Sequence, residues 1–438
     1  MAAPDLSSWG RHPRARQREW PVARAEDPLP RLDGTMLPRG LGRSYGDCCL
    51  DDGGTLLTTR ALDRILSFDE ATGVVRCEAG VTVGDLVRRF ASRGWFPPVV
   101  PGTKHVTVGG AIANDVHGKN HHRRGSFGSH VRRLELLRSG GERLACSPEE
   151  HPELFSATVA GLGLTGLVTW AELQLAPIPG EAIEAETVPL ERLEDFPGLA
   201  RESDAAFEHT VAWLDCTGRG DRLGRGLLFR GNHAPGGPRA RAPRPFAVPF
   251  TVPGFVLNRF TVGAFNALYA AGHRRRPGRR LVPLDSFFFP LDGLLHWNRL
   301  YGPGGLVQLQ CALPPAAALA GVRELLARTA RAGAGSFLAV LKSFGDVPSP
   351  GVLSFPRPGL ALALDFPYRG ALTDRLLAEL HAVVVDHAGA IYPAKDAHMT
   401  PATFARGYPR LAAFRPLVDP ALSSSLWRRV APQPARCP

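Results

Sequence analysis

Short apolar runs, broken repeatedly by glycine and proline, make up the first 180 residues. Gly54–Thr59 and Gly73–Glu78 predict strands, the second with Val74, Val75 and Cys77 as its apolar positions. Thr82-Val-Gly-Asp85 has the form of a capping box. It opens a predicted helix with Leu86, Val87 and Phe90 on one face. That helix ends before Gly94, and Pro97 and Pro98 stop any continuation. Val131–Leu137 and Leu167–Leu175 predict further strands, and Pro152–Val159 a short helix between them. Pro177 and Pro179 mark a boundary, so residues 1–180 read as an α+β domain of short strands.

Residues 181–389 have a different texture. Ala212–Asp215, Leu306–Leu313, Ser336–Lys342 and Leu360–Phe366 predict strands. Pro315–Arg331 and Leu372–His387 predict amphipathic helices, the second carrying Leu376, Leu377, Leu380, Val383 and Val384. This is a sheet with covering helices, and a second domain is expected. Within it, Phe246–Ala271 is apolar but interrupted by Pro249, Pro253, Gly254, Asn258 and Arg259. Arg239, Arg241 and Arg244 precede it; Arg274, Arg275, Arg276, Arg279 and Arg280 follow. An apolar segment between basic clusters suits a membrane-surface loop. A covering loop with a solvated charge run is the alternative.

Two stretches carry candidate chemistry. Residues 38–47 read Pro-Arg-Gly-Leu-Gly-Arg-Ser-Tyr-Gly-Asp, a loop able to wrap phosphates. Residues 101–128 hold Gly102, Gly109, Gly110, Gly118 and Gly125 beside Thr103, Thr107, Asn114, Asp115 and His117. Glycines there permit positive φ or close approach to a ligand, and the polar neighbours supply hydrogen bonds. No G-x-G-x-x-G follows a strand and opens a helix in this region, which disfavours a Rossmann site.

The length of 438 residues suits two or three domains. A net charge of +11 favours anionic partners. The seven cysteines form no C-x-x-C pair, against both a disulfide framework and zinc, and no metal site is expected. No uncharged apolar run reaches the roughly 18 residues of a membrane span. The opening Met-Ala-Ala-Pro-Asp-Leu lacks the pattern of a Sec-type signal, so a reducing, cytoplasmic or membrane-associated location is expected.

Arg39-Gly-Leu-Gly-Arg-Ser-Tyr-Gly-Asp47, Pro101-Gly-Thr103, Val108-Gly-Gly-Ala-Ile-Ala113, Asp115-Val-His-Gly-Lys-Asn-His-His122 and Gly163-Leu-Thr-Gly166 occur together. They resemble the PCMH-type FAD-binding domain of the vanillyl-alcohol-oxidase superfamily. Within it the chain resembles the decaprenylphosphoryl-β-D-ribose 2′-oxidase family. Trp9-Gly-Arg11, Trp297-Asn-Arg-Leu-Tyr-Gly-Pro303, Asp365-Phe-Pro367, Ala394-Lys-Asp396 and Val418-Asp-Pro420 extend the likeness nearly end to end.

The resemblance implies a two-domain α+β fold. Residues 1–180 would form the FAD-binding domain, completed by 390–438, and 181–389 an antiparallel-sheet substrate-binding domain. FAD would lie across both loops, its pyrophosphate on backbone N–H groups of 39–47 (Arg39, Gly40, Leu41, Gly42, Arg43, Ser44, Tyr45, Gly46, Asp47) and 107–110 (Thr107, Val108, Gly109, Gly110). Asn114, Asp115 and His117 would lie near its ring, with Gly102, Val168 and Tyr392 also on the cofactor. Ser44-Tyr45 stand where covalent flavin attachment usually has a histidine, so non-covalent FAD is expected.

The implied chemistry is hydride transfer from a sugar's secondary alcohol carbon to flavin N5. Lys395 would stabilise negative charge as a cation; Gln308, Gln310, Lys342 and Lys395 would contact substrate. Tyr45 and His117 would complete the polar wall. His117 is the first choice as proton acceptor, since a free imidazole titrates near pH 6.5. Ala361, Ala363, Phe288 and Phe289 replace residues that are often polar in the family, leaving the exact substrate open.

The implied substrate is a polyprenyl-phosphate-linked ribose of arabinan precursor synthesis in the bacterial cell wall. An NAD(P)H-dependent short-chain reductase would be the partner, the periplasmic face a possible site, and no nucleic acid a ligand. A FAD-linked oxidase of a soluble sugar, alditol or aldonolactone is one alternative. A non-catalytic basic protein binding anionic lipid is another.

Overall fold

The computed structural model describes residues 5–236, 245–275 and 278–431. Arg239, Arg241, Arg244, Arg276 and Cys437 lie outside the described residues.

Alternating strands in the first part form an antiparallel five-stranded sheet. Its order is Ile65–Asp69, Val74–Glu78, Leu167–Gln174, Val131–Leu137 and Arg143–Cys146. The expected capping box is present: Thr82 accepts from the Asp85 N–H while the Asp85 carboxylate accepts from the Thr82 N–H. It starts helix Val83–Phe90, whose Leu86, Val87 and Phe90 are buried with Val75, Cys77, Ala171 and Leu173. Three short strands, Arg18–Pro21, Thr55–Thr58 and Met36–Arg39, pair in parallel, and the last delivers the chain into Gly40.

An eight-stranded antiparallel sheet occupies the middle of the chain. Its order is Arg280–Pro283, Ala182–Leu190, Gly226–Ala234, His209–Leu214, Ala339–Phe344, Gly359–Pro367, Leu306–Leu313 and Ala390–Ile391. Helices Ala318–Arg331 and Ala371–Asp386 cover one face and bury Leu325, Leu326, Leu376, Leu377, Leu380, Val383 and Val384. The opposite face is left for a ligand.

Two predicted elements differ. The strand expected from Ser336 begins at Ala339, because Ser336 closes a local turn with its hydroxyl on the Leu338 N–H and carbonyl. The segment read as an interrupted loop contains a helix, Arg259–Arg274. Asn258 starts it rather than breaking it: its side-chain oxygen accepts from the N–H groups of Phe260 and Thr261.

The end of the chain returns to the beginning. Ala390–Ile391 is the last strand of the large sheet, and the residues after it pack on the first part. Ser139 donates to Asp419 at 2.6 Å, Ser423 N donates to the Met36 carbonyl, and Arg429 pairs with Asp47 at 2.7 Å.

Candidate active site

A cavity of about 990 Å³ separates the glycine-rich loops from the open face of the eight-stranded sheet. The first loop contributes Arg39, Gly40, Leu41, Gly42, Arg43, Ser44 and Tyr45 to its wall. Gly46 and Asp47 turn away from it. A Cβ on Gly46 would lie 1.6 Å from the Asp396 carbonyl oxygen, and the Asp47 carboxylate is held by Arg429. From the second stretch, Gly102, Thr107, Gly109, Gly110, Asn114 and His117 line the cavity, as do Val168 and Tyr392.

Val108 and Asp115 depart from the expectation that they face a cofactor. Val108 is fully buried in the core beneath. Asp115 has φ +40, which swings its side chain behind the loop. There its carboxylate accepts from the Gly128 N–H at 2.8 Å, from Ser349 Oγ at 2.6 Å and from Ser354 Oγ. It braces the loop instead of lining the site.

The wall fits an anionic ligand on one side. Among the described residues, the N–H groups of Leu41, Gly42, Arg43 and Ser44 have no protein acceptor. The buried Nε and Nη1 of Arg39 and Nε of Arg43 are also without partners. Unpaired donors of this kind are costly unless a ligand or water meets them. The N–H groups at 108–110 behave otherwise: they donate to Val81 O, Ala79 O and Thr107 Oγ1. Phosphate oxygens are therefore better matched to 41–44 and the two arginines than to the second loop.

The sheet face opposite is polar at one end. Alternation along Leu306–Leu313 points Gln308 and Gln310 the same way. Gln310 Nε2 meets His117 Nε2 at 2.7 Å. Gln308 Nε2 donates to the fully buried Asp365, directly opposite in the ladder, and Tyr301 OH reaches the same carboxylate at 3.4 Å. The Lys395 ammonium lies 3.4 Å above the Tyr45 ring centroid. Lys342 completes this wall, with Ala361 and Ala363 beside it.

Burial sets the charges here. His117 is pushed well below its usual value by desolvation and then by the nearby Lys342, His121 and Lys395. His117 is therefore not poised to accept a proton as a free imidazole near pH 6.5 would be, contrary to the expectation from sequence. Lys395 is lowered to about 8 by desolvation, with Asp365 opposing the shift. Asp365 is raised to about 7 by its own burial, against the Gln308 hydrogen bond and Lys395. Burial drives the Tyr45 phenol well above 10, so it stays protonated.

Two residues without an assigned role in the sequence belong to this region. Asp365 carried a signal, an acid closing the apolar strand run Leu-Ala-Leu-Ala-Leu. Lys119 lines the cavity, donates to the carbonyls of Phe287 and Phe288 at 2.6 and 3.0 Å, and is lowered to about 7 by burial. Away from the polar end, the cavity runs into an apolar arm that includes Phe229, Phe265, Tyr269, Leu294 and Phe337.

An FAD binding domain family matches residues 29–147, which span both glycine-rich loops. Decaprenylphosphoryl-β-D-ribose oxidase of Mycolicibacterium smegmatis is 35% identical over 415 residues, 90% of this chain and 89% of that protein. The chain belongs to this oxidase family. An uncharacterised protein of Streptomyces coelicolor is 36% identical across 80% of this chain and all of its own length. A putative D-arabinono-1,4-lactone oxidase of Neurospora crassa is 30% identical over 26% of this chain and 20% of its own.

The protein is thus an FAD-dependent oxidoreductase, which removes the reading as a non-catalytic lipid binder. The cavity suits that cofactor in volume, and its unpaired donors suit a pyrophosphate. Among the described residues no helix is long and apolar enough to cross a membrane.

Proposed function

We propose that this oxidoreductase converts the 2′-hydroxyl of a polyprenylphosphoryl-β-D-ribose to the 2′-ketone. The observation that carries the reading is the two-ended cavity. A polar wall of Gln308, Gln310, Lys342 and Lys395 suits a phosphorylated sugar, and the apolar arm continuing from it suits an isoprenoid tail. The name of the Mycolicibacterium smegmatis relative supports the same substrate class.

Residues 1–180 and 390–438 would form the FAD part, and 181–389 the substrate part. Arg39–Tyr45 would hold the pyrophosphate non-covalently. Gly102, Thr107, Gly109, Gly110, Asn114, His117, Val168 and Tyr392 would line the rest of the cofactor's course. Bound FAD supplies the acceptor for the hydride leaving the sugar carbon. Lys395 handles the proton. Its lowered value leaves part of the population as neutral amine near pH 8, able to accept the hydroxyl proton. The ammonium so formed then stands where negative charge develops. Asp365 does not line the cavity; it sets the charge of Lys395 from behind Gln308. His117, neutral, orients Gln310. Tyr45 supports the Lys395 ammonium with its ring face. The ketone formed requires a separate reductase, of the NAD(P)H-dependent short-chain class, to complete an epimerisation.

A soluble sugar, alditol or aldonolactone is the second substrate reading. The name of the Neurospora crassa relative favours it, and Ala361 and Ala363 leave part of the wall without groups specific to a phosphorylated ribose. Anaerobic bleaching of the flavin separates the two. Polyprenylphosphoryl ribose should reduce it, and free pentose, alditol or aldonolactone should not. Reduction by the soluble compounds alone would replace the proposed substrate.

A further inference from the structure

The described residues expose eleven large apolar side chains, and eight of them fall between 246 and 281. Phe246, Phe250, Phe255, Phe260 and Leu268 are 66–77% exposed. Clustered exposure of this kind marks an interaction surface rather than ordinary scatter. Helix Arg259–Arg274 runs through the patch and works on two sides. Phe260 and Leu268 face outward, whereas Phe265, Tyr269 and His273 line the cavity. Asn266 is buried and donates to Asp215 at 2.8 Å, fixing the inward side.

Charge selects the partner. Arg274 ends the helix, and Arg275, Arg279 and Arg280 follow it. Arg274 pairs with Glu191 and Arg279 with Glu184, while Arg275 and Arg280 form no ion pair among the described residues. Aromatic residues beside excess arginine suit the headgroup layer of an anionic bilayer. A polyprenyl tail loses apolar burial with every methylene drawn through water. A cavity that takes such a tail is therefore best opened directly onto hydrocarbon, and Phe265, Tyr269 and His273 of this helix line its wall.

We propose that helix Arg259–Arg274 lies in the headgroup layer of an anionic membrane and that the substrate's tail passes between bilayer and cavity beneath it. The tail-passage half rests on the polyprenylphosphoryl-ribose reading; the membrane-contact half does not.

The test uses the flavin-loaded full chain and vesicles of equimolar phosphatidylcholine and phosphatidylglycerol, with pure phosphatidylcholine as reference. The protein should co-sediment with the anionic vesicles and be released by salt. The variant Phe255→Ser/Phe260→Ser/Leu268→Ser changes no residue of the cavity wall. It should bind those vesicles about tenfold more weakly. It should keep its flavin and reduce it at the unmodified rate with a short-chain phosphoryl ribose. With polyprenyl substrate supplied in vesicles its rate should fall about tenfold. Arg275→Ser alone should weaken binding to anionic vesicles and leave the reference unchanged.

Equal vesicle binding by the triple variant and the unmodified protein would overturn membrane contact. Weak binding with undiminished oxidation of vesicle-borne substrate would overturn tail passage. Failure of the unmodified protein to oxidise either ribose compound would defeat the substrate reading and tail passage with it, while the sedimentation result would still decide membrane contact.

Discussion

His117 Nε2 and Gln310 Nε2 lie 2.7 Å apart, bringing together residues 193 positions apart in sequence. The amide nitrogen can only donate, so the ring nitrogen facing it accepts, and the neutral imidazole carries its proton on Nδ1. Burial and nearby lysines hold His117 in that neutral form, well below the usual imidazole range. His117→Ala should slow anaerobic flavin reduction about fivefold, the weight of one neutral hydrogen bond of roughly 1 kcal/mol. The pH midpoint of the reaction should not move. A midpoint that disappears with His117 would make it the proton acceptor after all.

Lys395 should own the pH dependence. Its reactive form is the neutral amine, whose share grows as pH rises through its value of about 8. The rate of flavin reduction by substrate should therefore climb through that range and level off above it. Stopped-flow measurement across the range checks the sign; a rate that falls with rising pH would mean that the cation is the active form.

Lys395→Ala should abolish that step in the pH profile. It should also cost about 10²–10⁴ in rate, as loss of a positioned general base does. Flavin content should stay full, because no backbone cradle is altered. An unmodified reduction rate would remove Lys395 from the chemistry.

Gly40→Ala should empty the cofactor site. A Cβ there would stand 2.1 Å from Thr107 Oγ1, so any side chain forces the two glycine-rich loops apart. The protein should purify with little flavin colour while its far-ultraviolet dichroism stays close to the unmodified spectrum. Full flavin occupancy would show that the contact between these loops is not needed for binding.

Acid precipitation should release the flavin into the supernatant. Of the cavity's possible nucleophiles, the Cys48 and Cys49 thiols are pushed up by burial and stay protonated. Yellow colour retained in the pellet would reveal a covalent link.

Much of the framework was legible because it follows local rules. The Thr82 capping box, the strands at 131–137 and 306–313 and the helix ending at Arg331 each depend on a few neighbouring side chains. Helix Arg259–Arg274 is not legible in the same way, because Asn258 breaks a helix within an apolar run but caps one when the turn after it closes. Asn114 and Asp115 are adjacent polar residues in one loop, and sequence treated them alike. A single positive φ puts Asn114 on the cavity and Asp115 behind it.

By itself the sequence determined the two glycine-rich loops, the alternation that turns Gln308 and Gln310 to one face, and the resemblance that named a flavin. Those depend on residue type and short spacing. Only the tertiary structure decided that Gln308 meets Asp365 across a ladder, that Lys395 rests on Tyr45, and that His117 is neutral. It also decided that an apolar arm joins the polar wall to the exposed helix. Charge state and contact depend on which distant segments exclude water from a side chain, and desolvation has no counterpart in the spacing of residues along a chain.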